Sequence, residues 1–147
     1  MTDSPQFEGK LLGIDHGMVR IGVAASDTTQ TVARELSIIT RKSKAEDFAK
    51  IVHIAREQRV VALIVGIPQD VVRAEQGLYS QADKVLKWVE HLRAAIDLPI
   101  ILWDETLTTV EARELAQRLK RKPNAHIDDL AARVMLQSYL DAKREQA

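Results

Sequence analysis

Residues 11–26 read LLGIDHGMVRIGVAAS, and this stretch decides the fold. Two short apolar runs are separated by a glycine-containing turn at His16 to Val19, the pattern of two antiparallel strands. The pair carries an acid in an awkward place. Asp15 ends the first run, where an ionised carboxylate is costly unless a cation or hydrogen bonds compensate it.

Outward from this hairpin the pattern changes period. VARELSIIT, residues 32–40, is mixed enough in character to form an edge strand closing a three-stranded meander. Ser43 followed by Glu46 is a capping signature, and Phe48, Ile51, Val52, Ile54 and Ala55 recur at helical spacing up to about Gln58. Val60–Gly66, VVALIVG, has no polar face and predicts a central strand covered on both sides. Residues 67–77 hold Pro68 and Gly77 and read as a connection; Leu78, Ala82, Val85, Leu86, Val89, Leu92 and Ile96 then mark a longer helix. Pro99 separates it from a strand over Ile100–Trp103. Thr108 and Glu111 repeat the capping signature before a helix to about Lys120, a basic loop follows to His126, and a last helix begins near Asp128. The order predicts an α/β domain with a five-stranded mixed sheet, three strands antiparallel and two parallel, flanked by about four helices.

The bulk properties bound the function. The 147 residues fit one domain spanning 1–147. Lys plus Arg and Asp plus Glu each total 21, so a nucleic-acid partner would have to be met by a local patch. The absence of cysteine excludes disulfides and thiolate ligands. No run reaches the length of a membrane span, and the polar start MTDSPQFEGK lacks a signal-peptide core, so a cytoplasmic protein with no membrane association is expected.

Two further acids resemble Asp15 in placement. Glu105 follows the strand IILW, beside Asp104, of which strand alternation lets only one face a site. Asp128 opens the last helix. Singly, each has an ordinary explanation: a turn cap before Gly17 for Asp15, a solvated loop acid for Glu105, a dipole partner for Asp128. Jointly, three acids brought to one sheet rim suit Mg²⁺ or Mn²⁺, which bind a few carboxylates and share the ligand's phosphate. Basic residues supply the other half. Arg113, Arg118, Lys120, Arg121 and Lys122 precede Asp128, and Arg20 follows Asp15 on the hairpin; contacts of this kind position phosphates without reading sequence. The same cations also suit a solvated helix end. His16, His53, His91 and His126 lack zinc-ligand spacing, although His16 and His126 flank the acids and could donate to phosphate. Trp88 and Trp103 each lie in an apolar run and are expected in the core.

At these residues the chain resembles the YqgF (RuvX-like) family of RNase H-like proteins. LLGIDHGMVRIGVAASD is similar to the family's D-x-G-x-x-R-I-G-V-A strand pair, VALIVGIP to its Gly-Pro strand end, ILWDETLTTVEA to its D-E-R-L-T-T segment, and IDDLAARVMLQSYLD to its final helix. The resemblance implies an RNase H-like fold, with Asp15, Glu105 and Asp128 as catalytic, metal-binding acids and Arg20 near the substrate phosphate. The chain departs from the family pattern at Met18, Val19 and Thr106, and QDVVRAEQG replaces the usual N-M-D-G turn.

The expected function is a Mg²⁺- or Mn²⁺-dependent nuclease processing the 5′ end of precursor 16S rRNA, with Arg20, Arg118, Lys120, Arg121 and Lys122 meeting structured RNA. Three other readings compete. A Holliday junction resolvase acting on four-way DNA would be a dimer rather than a monomer. A non-catalytic ribosome-assembly factor would keep the fold without binding metal. An actin-like phosphotransferase would need a second domain of this kind.

Overall fold

The computed structural model describes residues 7–68, 81–105 and 108–145. Five strands form one sheet: β1 (Leu11–His16), β2 (Arg20–Ser26), β3 (Ala33–Thr40), β4 (Ala62–Pro68) and β5 (Ile100–Glu105). Their order is β3-β2-β1-β4-β5, with β1/β2 and β2/β3 antiparallel and β1/β4 and β4/β5 parallel. Four helices are described: α1 (Lys44–Gln58), α2 (Gln81–Ala95), α3 (Thr108–Arg118) and α4 (Asp128–Glu145). The expected mixed sheet is therefore present, with β3 on one edge.

Strand alternation divides the core in two. Leu12, Ile14, Leu63 and Val65 point to one face and pack with Phe48 and Ile51 of α1 and Val85, Trp88, Val89 and Leu92 of α2. Leu11, Ala62 and Ile64 point to the other, against Ala132, Met135, Leu136 and Leu140 of α4. Small residues let α4 lie close on this face: a Cβ on Gly13 would come within 2.9 Å of the Leu136 Cβ. On its outer side α4 meets α3 through Ala112, Leu115, Ala116, Leu130 and Ala131. Acids in its first turn and Lys143 and Arg144 in its last complement the helix dipole.

Several predicted boundaries move, each for a local reason. The Ser43 side chain caps α1 as expected, accepting from the Glu46 N–H at 3.2 Å. At the other end Arg59 is left-handed (φ 55°) and the Val60 N–H bonds back to the Ala55 carbonyl, so Val60 closes the helix rather than opening β4. β4 instead runs on through Ile67 and Pro68. Its pairing with β1 stops at Gly66, so the N–H that Pro68 lacks is not needed on that side. α3 ends at Arg118, two residues before left-handed Lys120. Leu86, expected on the apolar stripe of α2, is exposed. Trp88 is core, as expected, while Trp103 is only partly buried: its Nε1–H donates to Ser138 Oγ at 2.7 Å and its ring meets Tyr139 edge-on. The predicted connection over 69–77 and the first turn of the longer helix lie outside the described residues. No helix among the described residues is long and apolar enough to cross a membrane.

Candidate active site and nucleic-acid cleft

Along β1, Leu11, Gly13 and Asp15 share the α4 face, so Asp15 follows the core residues of that face toward the end of the sheet. The register sets Asp15 between two glycines, opposite Gly22 of β2 and Gly66 of β4, and Gly66 in turn pairs with Trp103 of β5. Gly22 is what admits the second acid. A Cβ there would fall 1.8 Å from the Asp128 carbonyl oxygen and 2.4 Å from its carbon, so the first residue of α4 rests directly on the strand beside Asp15. Only glycine permits that approach.

Glu105 closes β5 opposite Pro68, one two-residue step beyond the row Asp15–Gly66–Trp103. Its side chain lies outside the described residues. Leu102 packs with the α1/α2 core and Trp103 with the α4 core, so Asp104, which is exposed, alternates away from the Asp15 face. Three predicted acids thus come from one end of the sheet: two as neighbours across Gly22, the third by backbone register. Among the described residues no three His, Asp or Glu side chains form a ready metal cluster. The donor chemistry still fits a hard dication, since Asp15 and Asp128 are carboxylate residues whose backbones meet across Gly22, which seats the helix start on the strand.

Asp128 is already engaged. The Arg20 Nε donates to its Oδ2 at 2.9 Å, with roughly a third of the arginine and a quarter of the aspartate side chain exposed. From this pair opens a cleft of about 560 Å³, walled by Thr109, Arg113 and Gln117 of α3, by Lys122–Ile127 and by Asp128. Arg113 and Lys122 make no ion pair among the described residues and face this space with His126.

The predicted basic set divides. Arg20, Arg113, Arg121 and Lys122 line the cleft, whereas Arg118 and Lys120 are exposed outside its lining. Arg121 is committed elsewhere: its guanidinium forks onto buried Asp129 (Nη1–Oδ1 2.8 Å, Nη2–Oδ2 2.9 Å) and reaches the His126 carbonyl at 3.3 Å. Glu35 on β3 lies 3.8 Å from Arg121 and accepts from Arg133 at 3.0 Å, tying loop, helix and edge strand together. The Asp129 hydrogen bonds raise the Arg121 pKa above its ordinary value, so the cation is permanent.

His16 does not serve as a phosphate donor. It lies on the opposite face from Asp15, 4.7 Å from the Trp88 ring centre, and neither ring nitrogen has a hydrogen-bond partner beyond its own backbone among the described residues. Burial, then the nearby Arg41 cation, lower its pKa to about 4, leaving it neutral. His126, by contrast, lines the cleft. Thr109 and Gln117 went unassigned as site residues, yet their spacing of four on either side of Arg113 puts all three on one helix face, a signal available in the sequence.

Comparisons with known proteins bear on the family and the fold. Residues 9–142 match the profile of the family described as "RuvX: Holliday junction resolvase". A relative from Thermoanaerobacter pseudethanolicus, named "Putative pre-16S rRNA nuclease", is 43% identical over 141 residues, covering 93% of this chain and 99% of its own. One of the same name from Syntrophus aciditrophicus is 40% identical, covering 90% and 89%. Among solved structures, Thermus thermophilus RuvC in complex with a Holliday junction aligns at a TM-score of 0.56 with 14% identity, covering 93% of this chain and 96% of that one. The Fowlpox virus resolvase bound to junction DNA aligns at 0.56 with 12% identity, covering 91% and 98%. Both structures share the fold of this chain.

Proposed function

The chain belongs to the RuvX family, and from that premise we propose that it is a divalent-metal-dependent nuclease that hydrolyses phosphodiester bonds in precursor 16S rRNA. The observation that carries this reading is the stacking of Asp128 on Gly22, the register partner of Asp15, at the mouth of a cationic cleft.

Asp15 and Asp128, with Glu105, would hold Mg²⁺ or Mn²⁺. Such an ion, when bound, lowers the pKa of a water and neutralises charge on the departing oxygen. The protein's own share is positioning. Arg113 and Lys122 hold the phosphate backbone along the cleft, Arg20 reaches the phosphate nearest Asp128, and the Arg121–Asp129 fork fixes the loop that carries Lys122 and His126. The buried face beneath β1 keeps the strand carrying Asp15 rigid.

Asp15→Asn keeps the size of the side chain and removes its charge. Cleavage of a precursor rRNA fragment in Mg²⁺ should fall by about 100-fold or more with an unchanged thermal melt; retained turnover in a preparation free of other nucleases contradicts the proposal. The description of the matching family favours a second reading, resolution of four-way DNA junctions. Equal salt and Mg²⁺ with both substrates separates the two, since salt governs the affinity of each. Symmetric paired cuts in the junction and an intact rRNA precursor would favour the resolvase.

A further inference from the structure

Arg20 stands in two places at once. Its Nε holds the Asp128 carboxylate at 2.9 Å, and the same side chain lines the cleft beside Arg113, Lys122 and His126. Among the described residues, Asp128 is the only acid in that lining. Asp129, its neighbour, has its own cation in Arg121, so the hold of Arg20 on Asp128 is not needed to neutralise the helix start as a whole.

The contact with Asp128 competes with metal binding at the same oxygen, since the Arg20 Nε occupies Oδ2. A guanidinium hydrogen-bonded to a carboxylate oxygen sits within one ligand's width of any cation that the carboxylate binds, and the two positive charges repel. The cleft offers the released guanidinium somewhere to go, because a phosphate there accepts its planar fork better than a part-exposed carboxylate shared with a dication. Resting on the nuclease reading above, we infer that Arg20 is a switch: it closes Asp128 when the cleft holds no phosphate and swings to the phosphate when one arrives. Metal and nucleic acid then bind cooperatively, each favouring the Arg20 position that the other requires, and the coupling is reciprocal. The switch withholds a complete metal site until a phosphate is present. Arg20 acts here as a positioning residue with two stations rather than as a fixed phosphate contact.

Binding, not turnover, tests the switch. Free Mn²⁺ is followed by electron paramagnetic resonance as it is titrated into the parent protein and the Arg20→Gln variant, each with and without a short 2′-O-methyl RNA strand as an uncleaved phosphate probe. For the parent, the strand should tighten Mn²⁺ binding by about three- to tenfold. For Arg20→Gln, Mn²⁺ alone should already bind about three- to tenfold tighter than to the parent, and the strand should add no more than the general attraction of its charge. If circular dichroism shows that variant unfolded, Arg20→Met repeats the test, because it keeps a long side chain while removing both the charge and the Nε contact; tighter Mn²⁺ binding than the parent is again expected. Parent-like or weaker Mn²⁺ binding by the variant, or a strand without effect on the parent, overturns the switch and leaves the nuclease reading intact. Failure of both proteins to bind Mn²⁺ overturns the metal-dependent reading and the switch with it.

Discussion

Replacing Gly22 by alanine adds one methyl group at the point on which the site depends. The new Cβ would lie 1.8 Å from the Asp128 carbonyl oxygen, where ordinary contacts stop at 3.0 Å, so the helix start must retreat by about 1.2 Å or β2 must bulge away. Neither movement is easy, since both partners are backbone. Further along, α4 is pinned by Leu136 against Gly13, and its loop by the Arg121–Asp129 fork. Overpacking of this kind costs about 1–3 kcal/mol. A displacement near 1 Å at a reacting group costs about 100-fold in rate. Urea unfolding followed through tryptophan fluorescence gives the first quantity, and cleavage of an rRNA precursor fragment in Mg²⁺ gives the second. A Gly22→Ala protein with parental stability and activity would refute the claim that α4 is seated on β2 by the missing side chain.

Three other outcomes follow from the same contacts. His16 is neutral in the folded state with a pKa of about 4 against 6.5 for the free side chain, so the unfolded chain binds its proton first. Stability from this residue is therefore intact above about pH 6.5 and lost as pH falls toward 4, by on the order of 1–2 kcal/mol after solvent screening; His16→Phe should flatten that part of the stability curve, and parallel curves for the two proteins would exclude the effect. Removing Arg121 leaves Asp129 buried without its fork, at a cost of about 2–3 kcal/mol in urea denaturation. The Arg121→Ala, Asp129→Ala double variant should lose clearly less than the two single losses together, whereas strict additivity would mean the pair is not coupled.

Legibility followed how local each determinant is. The hairpin, the Ser43 cap and the unbroken apolar run of β4 are written in neighbouring residues, and they yield the sheet and its helices. Asp15 and Asp128 could be read because an acid at a strand end and one at a helix start are each visible from spacing. That Gly22 would seat one beside the other was not, because it depends on the close approach of residues far apart in sequence. The role of Arg121 was hidden for a related reason: its partner Asp129 lies across a loop, outside helical spacing, so the cation looked like part of a phosphate-binding run. Proximity to Asp15 let His16 stand as a possible phosphate donor, yet consecutive strand residues face opposite sides and His16 packs on Trp88 instead. The extension of β4 through Pro68 depended on where its neighbour stops pairing, which no single segment contains.

The central claim, that Asp15, Glu105 and Asp128 share a dication, is tested most directly by a crystal soaked in Mn²⁺ and measured at the manganese absorption edge. The account predicts an anomalous peak within about 2.1–2.3 Å of carboxylate oxygens from Asp15 and Asp128, with Glu105 completing the set. Manganese bound away from these residues, or carboxylates that stay apart in saturating Mn²⁺, would contradict it.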